Sequence, residues 1–325
     1  MDEFEFIEHI RQKTYHHSSL LRGIGDDAAV FQLNQEAIVT AVDTFVENIH
    51  FKKDTMSPSD IGYRALAANL SDLAAMGAEP MFYLASIVVS DSWSSDEIKD
   101  IFSGLDELAE QFQIDLIGGD TVSGSELVLS ITVIGKGKAK QLRYRHDAKA
   151  GDIVFVTGTL GDARAGLDIL LEEPSENYPK YLDLIKKHQR PTPRVTFANK
   201  LASIGRIALN DVSDGIANEA YELAKSSHVD VHLLDEKIPV QSKLYHHFTE
   251  EQVKRWKYFG GEDFELLGTV SEEEWPIVQA IAEESNLLIT KIGKVSHVLE
   301  QNPTVRVLKE GHWSTLQQLG YTHLK

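Results

Sequence analysis

The stretch "NLSDLAAMGAEP", residues 69–80, carries a carboxylate, Asp72, in a run of alanines and leucines. Its flanks predict a helix. Ser57-Pro58-Ser59-Asp60 supplies an N-cap, a proline at the first helical position and an acid at N3. Gly77 and Pro80 supply stop signals. Leu66, Leu70, Leu73 and Gly77 follow helical spacing. Asp72 falls on a neighbouring stripe with Ala65, Ala68, Ala75 and Met76, and Asn69 lies one turn below it. A solvated edge of an amphipathic helix would explain a single aspartate. Small neighbours also leave room for something large and positive to approach the carboxylate. The rest of the chain decides between these readings, by whether it supplies similar acids in similar settings.

Around this helix the first half alternates strand and helix patterns. Strands are expected at 37–46, 82–90, 115–121 and 126–137, with a capped helix at 94–113. The segment 115–121, "DLIGGDT", reads as a short strand ending in glycines. A basic, weakly apolar stretch at 138–152 breaks the pattern. The second half restarts with a strand at 153–158 and a helix over 161–171. A helical hairpin interrupted by Pro191 and Pro193 follows, and then a helix ending near 226. Further strands are expected at 229–235, 263–270 and 287–295, around a helix at 272–285. The expectation is an α/β (α+β) protein with mixed sheets flanked by helices, in two domains over 1–140 and 147–325.

The 325 residues are 42% hydrophobic, enough for a sizeable core. A net charge of −18 argues against nucleic acid or an anionic membrane as a partner. It leaves phosphorylated ligands open, because bound metal ions reverse the local sign. With no cysteine, thiolate chemistry and disulfides are excluded. The opening "MDEFEFIEHIRQKTYHH" reads as an acidic amphipathic helix without the basic and apolar regions of a signal peptide, and no apolar run reaches membrane-spanning length. The expected setting is cytoplasmic.

Acids recur at strand ends and glycine turns: Asp26 and Asp27 in "GIGDDAAV", Asp43 in "AVDTF", Asp120 in "IGGDT", and Asp211 and Asp214 in "NDVSDG". Taken singly, Asp26–Asp27 fits a turn, Asp214 a helix cap and Asp120 loop punctuation. No turn accounts for Asp43 or Asp72. Magnesium with phosphates fits the set: the ion selects oxygen ligands, and neighbouring glycines let backbone amides approach phosphate. There is no G-x-x-x-x-G-K-[ST] loop, no H-E-x-x-H and no kinase H-R-D set, and the 13 histidines show no metal-ligand spacing.

"GIGDDAAV", "VDTFVENIHF", "NLSDLAAMGAEP", "IGGDT", "DVSDG" and "GGEDFEL" occur in this order at suitable separations. Together they resemble the bacterial thiamine-monophosphate kinases, a family of the aminoimidazole ribonucleotide synthetase superfamily. The resemblance runs from about residue 3 to the C-terminal "GYTHL". It implies that superfamily's two-domain architecture and ATP-dependent phosphorylation of thiamine monophosphate to thiamine diphosphate. It also implies a homodimer paired through the N-terminal sheets. By motif, Asp27, Asp43, Asp72, Asp120, Asp211 and Asp214 correspond to ligands of several Mg2+ ions. Gly119, Asp120, Arg145 and Ser213 correspond to nucleotide contacts; His50, Glu262 and Tyr321 correspond to contacts with thiamine monophosphate. Ala41-Val42 stands where family members often carry a hydroxyl before the second aspartate, so a metal contact there would use main-chain oxygen or be missing. The strand 126–137, long and apolar, would leave a hazardous open edge unless a second subunit covered it. The rival readings are a purine-pathway synthetase of the same superfamily and a silent nucleotide-binding module. Selenide-using kinases and hydrogenase-maturation dehydratases fit less well, because both use cysteine or selenocysteine.

Overall fold

The computed structural model describes residues 19–22, 26–33 and 36–319. The expected N-terminal helix and Tyr321 lie outside the described residues. The helix of the opening stretch is α1, Pro58–Ala75. Ser57 caps it, its hydroxyl accepting from the Asp60 amide, with Pro58 at N1. At the other end the Ala78 amide donates to Leu73 O and the Gly77 amide to Ala74 O. This closure needs a left-handed residue, and Gly77 has φ +63°. The reading of α1 as an amphipathic surface helix fails: it is buried on nearly every side, with Asp72 among its few partly exposed residues.

That burial follows from where α1 lies. Strands β1 (Leu20–Arg22), β2 (Ala29–Leu33), β3 (Glu36–Val46), β4 (Glu79–Val89), β5 (Asp115–Ser123) and β6 (Val128–Gly137) form one sheet in the order β1-β2-β3-β6-β4-β5. Only β4 and β5 pair in parallel. Helices α1 and α2 (Ser95–Phe112) pack together, and α1 lies against β3 and β6.

The chain then enters a second sheet of β7 (Ile153–Thr157), β8 (Ile207–Asp211), β9 (Asp230–Leu234), β10 (Leu266–Val270), β11 (Ile289–Ser296), β12 (Val305–Lys309) and β13 (His312–Thr315), ordered β13-β12-β9-β11-β7-β10-β8. Among the described residues the second half carries the α-helices α3 (Asp162–Glu172), α4 (Leu182–Gln189), α5 (Val195–Lys200), α6 (Ile216–Ser227), α7 (Leu244–His247), α8 (Glu250–Phe259) and α9 (Trp275–Glu284). Helix α1 also touches β8 and α5, so one apolar core joins residues of both sheets, including Leu66 and Leu70 of α1 with Leu209 and Phe197. The helix that carries Asp72 is therefore the seam between the two halves.

Three expectations need correction. The strand 126–137 is not an edge: β6 lies between β3 and β4, hydrogen-bonded on both sides. Among the described strands the sheet ends at β1 and at β5, and β5 is exposed along its whole length. That strand does not end in glycines; it runs through Gly118 and Gly119 to Ser123. The strand expected at 263–270 begins only at Leu266, because Glu262 and Phe264, at φ +68° and +49°, break the extended backbone before it.

Candidate active site

Asp27 lies in the bend just before β2, Asp72 projects from α1, and Asp211 is the last residue of β8. One carboxylate oxygen from each lies within 4.8 Å of the others. Burial first, then the charges of Asp43, Asp211 and Asp27, push the Asp72 carboxyl well above the usual range. Asp211 is raised by burial, then by Asp27 and Glu219, although the Ser71 hydroxyl donates to it at 2.7 Å. Arg145 offsets part of this charge. Its Nε and Nη2 donate to Asp27 at 3.1 and 2.6 Å, and its Nε donates to Asn210 at 2.9 Å. Three converging carboxylates with one guanidinium to the side, and oxygen as the only donor atom, suit a hard divalent cation.

Asp43 lies beside this cluster on the face of β3 that meets α1. Its amide donates to Asn69 Oδ1 at 3.0 Å, and the Asn69 Nδ2 donates to Ala65 O at 2.9 Å. Strand alternation puts Ala41 on the same face as Asp43 and Val42 on the other. Asp214 does not cap α6: Gly215 holds the cap position with no side-chain bond. Instead the Asp214 amide donates to Glu219 at 2.9 Å. The buried Glu219 also accepts from Asn210 at 2.7 Å and from the Ser213 hydroxyl at 3.4 Å. Burial, then Asp214, raises the Glu219 carboxyl to about 8. Glu219 thus ties the DVSDG loop to Asn210 and, through it, to Arg145.

A cleft of about 940 Å³ opens beside the acids, lined by Asp43, His50, Ala68, Ser213, Asp214 and Glu262 among others. The His50 Nδ1 accepts the Val46 amide at 3.0 Å, which puts the proton of a neutral ring on Nε2. Arg164, Lys254 and Arg255 bring cations to the same cleft.

The "GGEDFEL" segment fixes its acids to three different elements. Glu262 has φ +68°, donates its amide to Ser213 O at 2.6 Å and forms an ion pair with Arg64 of α1. Asp263 accepts the amides of Gly161 and Ala163 at 2.6 and 3.0 Å, at the start of α3. Glu265 accepts from the Thr157 hydroxyl at 2.7 Å and from the Arg194 Nε at 2.6 Å, with the Lys187 ammonium 3.4 Å away. Only Glu262 of these three acids faces the cleft.

Asp120 and Gly119 stand apart from this gathering. Asp43 pairs with Ile131, Ile131 with Ala85, and Ala85 with Gly119, so three ladders, about 14 Å at typical strand spacing, separate β3 from β5. A side chain at Gly119 would strike the Ala85 carbonyl, 1.9 Å from its Cβ. Sequence reasoning missed Ser71, Asn210, Glu219 and Arg64. The first two adjoin aspartates it had singled out, and a polar residue beside each was the available signal. Nothing local marks Arg64, whose partners are distant in the chain.

Residues 25–136 match the family described as AIR synthase related protein, N-terminal domain, and residues 149–305 match its C-terminal domain. The chain is 46% identical to thiamine-monophosphate kinase of Bacillus subtilis (strain 168) over 332 residues, covering all of both chains. The solved structure described as AaThiL complexed with AMPPCP and TMP superposes with a TM-score of 0.85 at 29% identity, covering 99% of this chain and 97% of that one. Thiamine-monophosphate kinase from Stenotrophomonas maltophilia K279a gives 0.77 at 34% identity, covering 93% and 96%.

Proposed function

The chain belongs to the AIR synthase related family and, within it, to the thiamine-monophosphate kinases, and from that premise we propose how its residues carry the reaction. The protein transfers the γ-phosphoryl group of ATP to thiamine monophosphate, giving thiamine diphosphate. Both reactants are anions, so repulsion between phosphates is the main obstacle. Asp27, Asp43, Asp72, Asp211 and Asp214 hold magnesium, which when bound neutralises and orients the phosphates. Ser213 and Arg145 serve the nucleotide, and His50, Glu262 and Tyr321 serve thiamine monophosphate.

The acceptor phosphate has its second pKa near 6 and is largely ionised at neutral pH, so no general base is required. His50 therefore positions substrate. Neither an aspartyl-phosphate nor any other phosphoenzyme forms. Catalysis rests on alignment and electrostatics.

The working unit is a homodimer. Its support is the open edge strand β5, where Leu116, Ile117 and Val122 are 42, 53 and 49% exposed. In this reading Gly119 and Asp120, remote from the acid cluster of their own subunit, serve a site completed by the second subunit. No helix among the described residues is long and apolar enough to cross a membrane. We place the enzyme in the cytoplasm, with its substrates.

The observation that carries this proposal is the convergence of Asp27, Asp72 and Asp211 beside a cleft that Glu262 and His50 also face. Incubating purified protein with ATP, magnesium and thiamine monophosphate should yield thiamine diphosphate and ADP. ATP turnover independent of thiamine monophosphate would reject it.

A further inference from the structure

Arg64, Ala68 and Asp72 occupy successive turns of α1, at spacings of four residues along one ridge. Their settings differ along that ridge. Asp72 joins the acid cluster. Ala68 is a small residue in the wall of the cleft. Arg64 is almost wholly buried, at 1% exposure, and pairs with Glu262, which is exposed to the cleft at 32%. Eight residues of helix span about 12 Å. The helix therefore holds the Arg64 and Asp72 positions at a fixed separation, with a small residue between them.

We propose that Arg64 is a positioning residue for substrate recognition: it fixes the Glu262 side chain in the wall of the cleft, where Glu262 receives the organic head of the phosphorylated acceptor. This inference rests on the function proposed above and adds the orientation of the acceptor and the residue that enforces it. The acceptor lies along the Arg64–Ala68–Asp72 ridge, its phosphate toward Asp72 and its aminopyrimidine toward Glu262.

The surroundings of Arg64 suit a rigid support. Its Nη1 lies 2.8 and 2.9 Å from the two ring nitrogens of His188 and donates to the His188 carbonyl at 3.1 Å. The buried His188 ring is held neutral, because burial and then Arg64 push its pKa well below the ordinary value. Arg64 therefore meets an uncharged ring on one side and places its positive charge against Glu262 on the other. Glu262 needs that anchor, since its backbone is in the left-handed region, which a non-glycine residue seldom adopts. A guanidinium also suits the task better than an ammonium, having several donors in a fixed plane.

The test compares two ligands on wild type, Arg64→Gln, Arg64→Lys, Glu262→Gln and the charge-balanced double variant Arg64→Gln/Glu262→Gln. Thiamine monophosphate presents both ends; the phosphorylated thiazole alcohol lacks the aminopyrimidine and is assayed as a competitive inhibitor. Wild-type turnover of thiamine monophosphate tests the underlying function and is scored first. Arg64→Gln should then raise KM for thiamine monophosphate roughly 10- to 100-fold, the range for losing a hydrogen bond to a charged group, with a smaller change in kcat. The inhibition constant of the truncated ligand should stay within about 2-fold of wild type, and Arg64→Lys should recover part of the loss. Because Arg64 acts through Glu262, the double variant should be no worse than Glu262→Gln alone. The double variant leaves no unpaired buried charge, so if either single variant folds poorly the two ligands are compared on it and on wild type, with the same expected split between them. Equal losses for both ligands, or additive losses in the double variant, would overturn the assignment while wild-type activity left the function standing.

Discussion

Replacing Asp72 by asparagine should abolish activity and at the same time stabilise the metal-free protein. Asp72 shares its site with Asp27 and Asp211 at no more than 4.8 Å between nearest oxygens. At an effective dielectric constant of about 20, two unit charges at that distance repel by ~3.5 kcal/mol, and Asp72 takes part in two such pairs. Part of that repulsion is already offset by the Arg145 guanidinium, paired with Asp27 beside them. The gain left for Asp72→Asn is about 1–3 kcal/mol at pH 8 in chelator. For a chain of this length 1 kcal/mol moves the melting temperature by roughly 1.5 °C, so an increase of ~2–4 °C is expected. Magnesium should reverse the order. A ligand at 100 times its Kd stabilises the wild type by about 2.7 kcal/mol, and a variant lacking the charge should gain much less. Thermal melts of both proteins, in EDTA and in magnesium, read all four states. A variant that melts below wild type in EDTA, or that gains equally from magnesium, would refute the reasoning.

Asp26 gives a pH dependence. Burial, then Asp27, raise its carboxyl to about 7. The unfolded chain ionises first, so its contribution is harmless below the ordinary value of 3.8, lowers stability as pH rises toward about 7, and is constant above. In chelator, Asp26→Asn should flatten that decline in denaturant titrations across the window; an unchanged slope would contradict it. Glu265→Gln should cost about 3 kcal/mol by equilibrium unfolding, since it removes the charge that Arg194 and Lys187 face; a loss under about 0.5 kcal/mol, the range of an ordinary surface change, would show that the pair contributes little. Val122→Lys, on the exposed strand β5, should shift sedimentation from dimer to monomer; an unchanged dimer would move the interface elsewhere.

Much of this was legible in the chain, for physical reasons that differ by element. Helix α1 could be read because its cap, first-turn proline and terminal glycine are local signals. Its burial could not, because that depends on β8 and α5, more than a hundred residues later, closing over its far side. Asp43 and Asp72 stood out since no turn explained them, and the fold sets both against the same cluster. The order of strands in a sheet leaves little trace in a single strand. Hence β6 reads as a hazardous edge while β5 reads as a short strand ending in glycines. Arg64 has no local signature: its role exists only where α1, α4 and the Glu262 loop meet.

The central claim is that carboxylate-held magnesium lets ATP transfer its γ-phosphoryl group straight to thiamine monophosphate. ATP made chiral at the γ-phosphorus tests this most directly, through the configuration of the terminal phosphorus in the thiamine diphosphate formed. Direct in-line transfer predicts inversion. Retention would contradict the account, because it requires an even number of displacements and therefore a phosphorylated side chain on the path.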